Sequence, residues 1–275
     1  MKLENTWIFF LTRLLALAAV FLLPPNVMFS AIGGPLIVAH GIHGFYKRAQ
    51  TNRNPLFVAM ALLGLLALLL LLGPAGTRTQ LIVAIVSQLL FVIHFSLDEH
   101  FFEGTSYSLK RLPELLVLPL AILALHLADF GLWGYLFLGC TILVLISSLA
   151  IHKNGTSRFQ KHLLFLTLLT VLLFLGEFKA RSSALITYTA LVHFFDWYEY
   201  TVRNSSKGPK RAALEIAVFW VPIQVVGVWY YQNPQALNIL SYVYDPHYIA
   251  IGIIWHVCWS LRATSNKTIT LRKLP

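Results

Sequence analysis

PLFVAMALLGLLALLLLLG, residues 55–73, carries no charged and no hydrogen-bonding side chain. A bilayer core about 30 Å thick needs about 20 mainly apolar residues to cross it as a helix rising 1.5 Å per residue, and this stretch meets that length. Nine further segments qualify to either side of it, at 7–23, 27–46, 80–102, 113–130, 132–151, 163–178, 183–201, 212–231 and 246–263. The expected fold is therefore all-α, a polytopic transmembrane helical bundle of about ten spans. With 57% hydrophobic and 12% charged residues, against about 45–50% and 25% in soluble domains, no long polar segment is left over. The whole of 1–275 reads as a single integral membrane domain.

Proline and glycine mark the joints, at Pro24-Pro25, Asn54-Pro55, Gly73-Pro74, Gly131, Gly208-Pro209 and Asn233-Pro234. Pro35 and Pro222 fall inside expected spans and predict kinks. Gly33-Gly34 predicts a close helix contact. Arg13 interrupts the first apolar run, which has no small-residue cleavage pattern after it, so that run reads as a retained helix rather than a secretory signal.

The net charge of +10 does not signal nucleic acid, because the cations sit in short loops between apolar runs. Lys47, Arg48 and Arg53, then Lys110 and Arg111, then Lys153, Arg158 and Lys161, then Arg203, Lys207, Lys210 and Arg211, then Arg262, Lys267, Arg272 and Lys273 follow alternate spans. Under the positive-inside rule both termini are expected in the cytoplasm, as in a multi-pass protein of a bacterial inner membrane. Cys140 and Cys258 both lie in apolar stretches and support neither a disulfide framework nor a cysteine metal motif.

Ionisable side chains inside spans are costly, about 2.5–3.5 kcal/mol near a helix centre on insertion scales, and mark function when they gather. Here they gather toward one end of alternate spans: His40 and His43 in AHGIHGFY, His94, Asp98, Glu99 and His100 in HFSLDEH, His193, Asp196 and Glu199 in HFFDWYE, and His256 in WHVCW. His40/His43 and His193/Asp196 are three apart and His94/Asp98 four apart, so each pair can share a helix face. Facing helices that each present such a pair are how bundles assemble metal sites. The candidate metal ligands are His40, His43, His94, His193, His256, Asp98 and Asp196, with Asp98 and Asp196 also the candidate catalytic acids. Imidazole and carboxylate without thiolate suit iron, manganese or zinc, as one ion or two. Phe95, Phe194, Phe195, Trp255 and Trp259 bracket these ligands and are the candidate walls of an apolar substrate pocket. The isolated His126, and His152, His162 and His247 in expected loops, read as packed or hydrogen-bonded side chains. Glu99, His100 and Glu103 read equally well as a solvated rim.

His40-Gly41, His94-Phe95-Ser96-Leu97-Asp98 and His193 resemble, in order and rough separation, the histidine motifs of the bacterial Brp/Blh-type β-carotene 15,15'-dioxygenases. The resemblance implies a multispan protein, iron held by intramembrane histidines, molecular oxygen as co-substrate and cleavage of a carotenoid to retinal. It would make His40, His94, His193 and His256 direct ligands, with Asp98 and Asp196 ligating or orienting imidazoles. About 15 of the 275 residues carry it. Where the family has an acid shortly after its first His-Gly, this chain has His43 and Gly44; where it has a second late histidine, this chain has Trp197. The expected function is a membrane-embedded oxygenase using Fe2+, with manganese or zinc as other fits, whose partners are an apolar lipid-soluble substrate, oxygen and membrane lipids. A proton- or ion-coupled transporter using the same His/Asp cluster is the alternative.

Overall fold

The computed structural model describes residues 6–23, 28–52, 55–103, 109–151, 157–176, 178, 181–233 and 245–271. The joints at Pro24-Pro25 and Pro234, His152, and the basic residues Arg53, Lys153, Lys179, Arg272 and Lys273 lie outside them. So do the side chains of Arg48, Arg262 and Lys267.

Ten α-helices and no strand are found among the described residues. They are α1 (Thr6–Leu22), α2 (Gly34–Asn52), α3 (Pro55–Leu72), α4 (Thr77–Phe102), α5 (Leu112–His126), α6 (Leu132–Ala150), α7 (Arg158–Leu175), α8 (Arg181–Arg203), α9 (Pro209–Gln232) and α10 (Pro246–Leu271). Each of the ten apolar segments read from the sequence overlaps one of them, the second by its later part, since α2 begins at Gly34. Five, namely α3, α4, α6, α7 and α9, are long and apolar enough to cross a membrane, and α3 has no buried residue. The helices α2, α8 and α10 have the length, with 19, 23 and 26 residues. Their histidines, acids and other polar groups lower the apolarity.

Local chemistry sets the helix ends. Ser157 caps α7 by accepting at its hydroxyl from the Gln160 backbone N–H, and the Ser157 backbone N–H donates to Gln160 Oε1 in return, a full capping box. Pro113 and Pro209 stand in the first turns of α5 and α9, where the missing N–H is not needed. Gly131 (φ 57°) and Gly208 (φ 82°) turn the chain just before α6 and α9 in the left-handed region that a Cβ disfavours. The helix changes type beside Pro35: a π-helical turn, Met28–Gly33, runs directly into α2, of which Pro35 is the second residue. The Gln224 amide of α9 donates to the Ala31 carbonyl in that turn. Pro222 does lie inside α9, and Pro119 inside α5.

Hydroxyls inside the helices return to their own backbone: Ser96 donates to Val92 O, Thr167 to Leu163 O, Thr170 to Leu166 O and Thr189 to Leu185 O, at 2.7–2.9 Å. Such bonds satisfy a polar group without water or a neighbour.

The helices form two compact units, each discontinuous in sequence: residues 1–29 with 92–204, and residues 30–91 with 205–275. In the first, α5 and α6 form a hairpin, both pack on α7, and α8 packs on α1, α5 and α7. Its core includes Leu118, Ile122, Phe159, Leu163, Leu166 and Tyr188, all fully enclosed. In the second, α2 packs on α9, α10 and α3, and α10 also packs on α3. There the Trp255 indole donates to the Ala61 carbonyl at 2.7 Å, tying α10 to α3.

Candidate metal centre

Four residues separate His94 from Asp98 on α4, so both project from one side of the helix, and His94 Nε2 lies 3.5 Å from Asp98 Oδ2. The packing of unit one brings His193 on α8 to the same oxygen, with its Nε2 at 3.6 Å. The two imidazole rings stand edge to face with centroids 5.7 Å apart. One ligand atom from each of the three residues lies within 4.8 Å of the other two. Ligands held about 2.0–2.2 Å from one ion stand about 3–3.5 Å apart when adjacent in tetrahedral or octahedral geometry. The two measured edges, 3.5 and 3.6 Å, are close to that spacing. Two imidazoles and one carboxylate thus suit a divalent transition ion chemically and sterically.

The walls are aromatic. Phe95, Phe194 and Phe102 place their rings 5.7, 5.8 and 6.4 Å from that of His193, and His193 itself has no exposed surface. The Asp98 side chain, 16% exposed, is the most open of the three. Phe195 points away, at 42% exposure, and contributes no wall.

Asp196 stands apart from these ligands. Although only three residues from His193, its carboxylate takes both terminal nitrogens of Arg13, with Nη1 at 2.9 Å from Oδ1 and Nη2 on Oδ2. Arg158 Nη2 adds a further contact to Oδ1 at 2.8 Å. An acid held by two guanidinium groups is an ion-pair partner here, which corrects the expectation that it ligates beside His193. Arg13 therefore does more than interrupt an apolar run. It is 4% exposed and serves as the counterion of a buried acid.

Of the two readings left open for the end of α4, the solvated rim does not hold for Glu99 and His100. Glu99 and His100 are each 1% exposed. Asp196, Arg158, Arg13 and Glu103 are the charged groups acting on Glu99. His100 Nε2 lies 3.2 Å from Glu114 Oε2 and its Nδ1 lies 3.1 Å from Arg111 Nη1. Gln160 donates to Glu114 Oε1 at 3.2 Å and to the Ser148 carbonyl at 2.6 Å. Glu103 accepts from the Phe159 amide at 2.7 Å. His162, read as a loop residue, lies within α7, 1% exposed, with its ring against Phe95 at 5.3 Å. The sequence signal for this network was a set of polar residues near span ends, Glu114 and Gln160 among them. Nothing in their spacing indicated that they pair with one another.

The second unit holds the remaining candidates. His40 on α2 and His256 on α10 pack their rings edge to face at 5.0 Å, and Trp259 packs on His256 at 4.9 Å. Gly44 packs beside both rings, and a Cβ there would stand in ordinary contact with them, 3.6 Å from His256 Cε1 and 3.5 Å from the Trp259 ring. Trp255 and Trp259 are 5.9 Å apart, with Phe45 beside both. His43 faces another way, toward Phe219 at 5.1 Å and Glu215 Oε1 at 3.8 Å. Lys47 and Lys207 hold that glutamate at 2.6 and 3.3 Å. His247 binds the Leu72 carbonyl at 2.8 Å, closing the end of α3.

Comparison with protein-family models, with curated proteins and with solved structures finds no match to this chain.

Proposed function

We propose that this protein is a membrane-embedded, metal-dependent oxygenase, with non-haem iron as its metal and a long apolar molecule such as a carotenoid or lipid as its substrate. The observation that carries the reading is the convergence of His94, Asp98 and His193 within 4.8 Å. Two histidines and one carboxylate with positions left open is the ligand set that non-haem iron oxygenases use to bind oxygen beside a substrate. Iron held there would supply oxygen activation. The chain's own residues would do the rest. His94, His193 and Asp98 would bind, and the rings of Phe95, Phe102 and Phe194 would exclude water and favour an apolar ligand. The helices α3, α4, α6, α7 and α9 support a location in the bilayer. Ten spans with both termini in the cytoplasm, in a bacterial inner membrane, complete the proposal, on the strength of the alternating loop charges.

The test is elemental analysis of the full chain purified in mild detergent under conditions that protect labile iron. About one equivalent of iron is expected in the wild type, with loss of the metal in His94→Ala and in His193→Ala. Substoichiometric transition metal in every preparation would move the assignment to a proton- or ion-coupled transporter. The buried Arg13–Asp196 pair, with Arg158 beside it, favours that second reading, because intramembrane ion pairs also build relays.

A further inference from the structure

Asp196 follows His193 by three residues on α8, about 4.5 Å along the axis and about 60° around it. Two helices grip it there: α1 through the forked contact of Arg13, and α7 through its first residue, Arg158. A bidentate guanidinium–carboxylate pair fixes orientation as well as distance, because both N–H···O bonds must stay in line together. The pair is enclosed, with side chains 5% and 2% exposed, so no solvent competes for either partner. On a helix, a side-chain nitrogen about 6 Å from the axis travels about 2 Å for a 20° rotation. Displacement of that size would break the His193 Nε2 to Asp98 Oδ2 approach of 3.6 Å. Productive sites tolerate only about 0.5 Å and 10–20° of misplacement.

We propose that Arg13, Arg158 and Asp196 act as positioning residues, a rotational lock on α8 that sets where His193 meets Asp98. The proposal concerns residues outside the ligand set and deepens the metal-centre reading on which its function rests. The lock itself is a property of the metal-free fold, so it can be tested apart from metal.

The experiment uses the full chain with Cys140→Ser and Cys258→Ser, and a reporter pair Asp98→Cys with His193→Cys bridged by a short bifunctional thiol reagent. A control pair, Tyr135→Cys with Phe174→Cys, replaces two rings 5.1 Å apart on α6 and α7. With the lock intact both pairs should bridge rapidly. Adding Arg158→Gln or Asp196→Asn should slow the reporter pair about tenfold, the scale on which groups that orient ligands act, and leave the control pair unchanged. Asp196→Glu should restore most of the rate. Arg158 is the more exposed arginine, at 20%, so Arg158→Gln carries the test if Asp196→Asn fails to fold. Equal reporter rates with and without the lock would overturn the proposal. In the natural ligand background, Arg158→Gln should also weaken Co2+ binding about tenfold and alter its visible absorption. A wild type that binds no Co2+ while the reporter rates respond as expected would sink the metal reading and leave the lock standing.

Discussion

Removing Arg13 tests the buried ion pair most directly, and the structure lets the outcome be worked out in sign and size. Arg13→Met takes two charge-assisted bonds from Asp196 and leaves it the contact with Arg158 at 2.8 Å. Breaking a buried pair costs about 3–5 kcal/mol when the survivor has no partner; here a second guanidinium remains, which reduces the loss. Methionine is also cheaper to hold among apolar helices than arginine, by about 2.5–3.5 kcal/mol on insertion scales. The net destabilisation expected for Arg13→Met is therefore small, about 0–2 kcal/mol. Asp196→Leu is worse, because it takes the carboxylate from two guanidinium groups at once, and about 3–5 kcal/mol is expected. The double variant removes both members of the forked pair, and Arg158, whose side chain is 20% exposed, can turn outward. It should therefore be more stable than the sum of the single losses predicts, by about 1–3 kcal/mol. Reversible unfolding of the purified chain in detergent measures all four corners of the cycle. Losses that add to within about 0.5 kcal/mol would refute the claim that the two side chains stabilise the fold as a couple.

Reporter fusions after Gln50, Lys110, Gly155 and Lys207 should all report cytoplasm, and one clear external result among them would break the ten-span scheme. Asp98→Asn keeps the shape of the residue and removes the charge at the oxygen shared by His94 and His193, so metal retention should fall while the melting temperature of the metal-free protein changes little; unchanged metal content would remove Asp98 from the ligand set. Trp255→Phe deletes the bond to the Ala61 carbonyl and should cost about 1 kcal/mol, read as a lowered melting temperature, with no shift meaning that the bond contributes nothing net. A carotenoid-producing host expressing the protein should accumulate a cleaved carotenoid such as retinal; unchanged lipids and carotenoids, together with altered solute uptake in His94→Ala, would support transport instead.

The helices were legible in the sequence because each depends on a short stretch of chain. Residues 55–73 have nothing to place in water, Ser157 and Gln160 cap α7 from within one turn, and Gly131 and Gly208 sit where the backbone turns left-handed. The pairing of His94 with Asp98 was legible for the same reason, since four residues on a helix bring two side chains to one side whatever surrounds them. Helical spacing also placed His193 near Asp196 and His40 near His43, and there it misled. Spacing says which residues share a helix but not which helix each side chain meets. Tertiary packing turned His193 toward Asp98 on α4, gave Asp196 to Arg13 and Arg158, and sent His43 to Glu215, leaving His40 against His256. Those partners lie 183 positions away in the case of Arg13 and Asp196. A buried charge requires a counterion, and in a chain with few charges the requirement is readable from sequence. Which counterion satisfies it depends on how helices pack, and only the folded structure decides that.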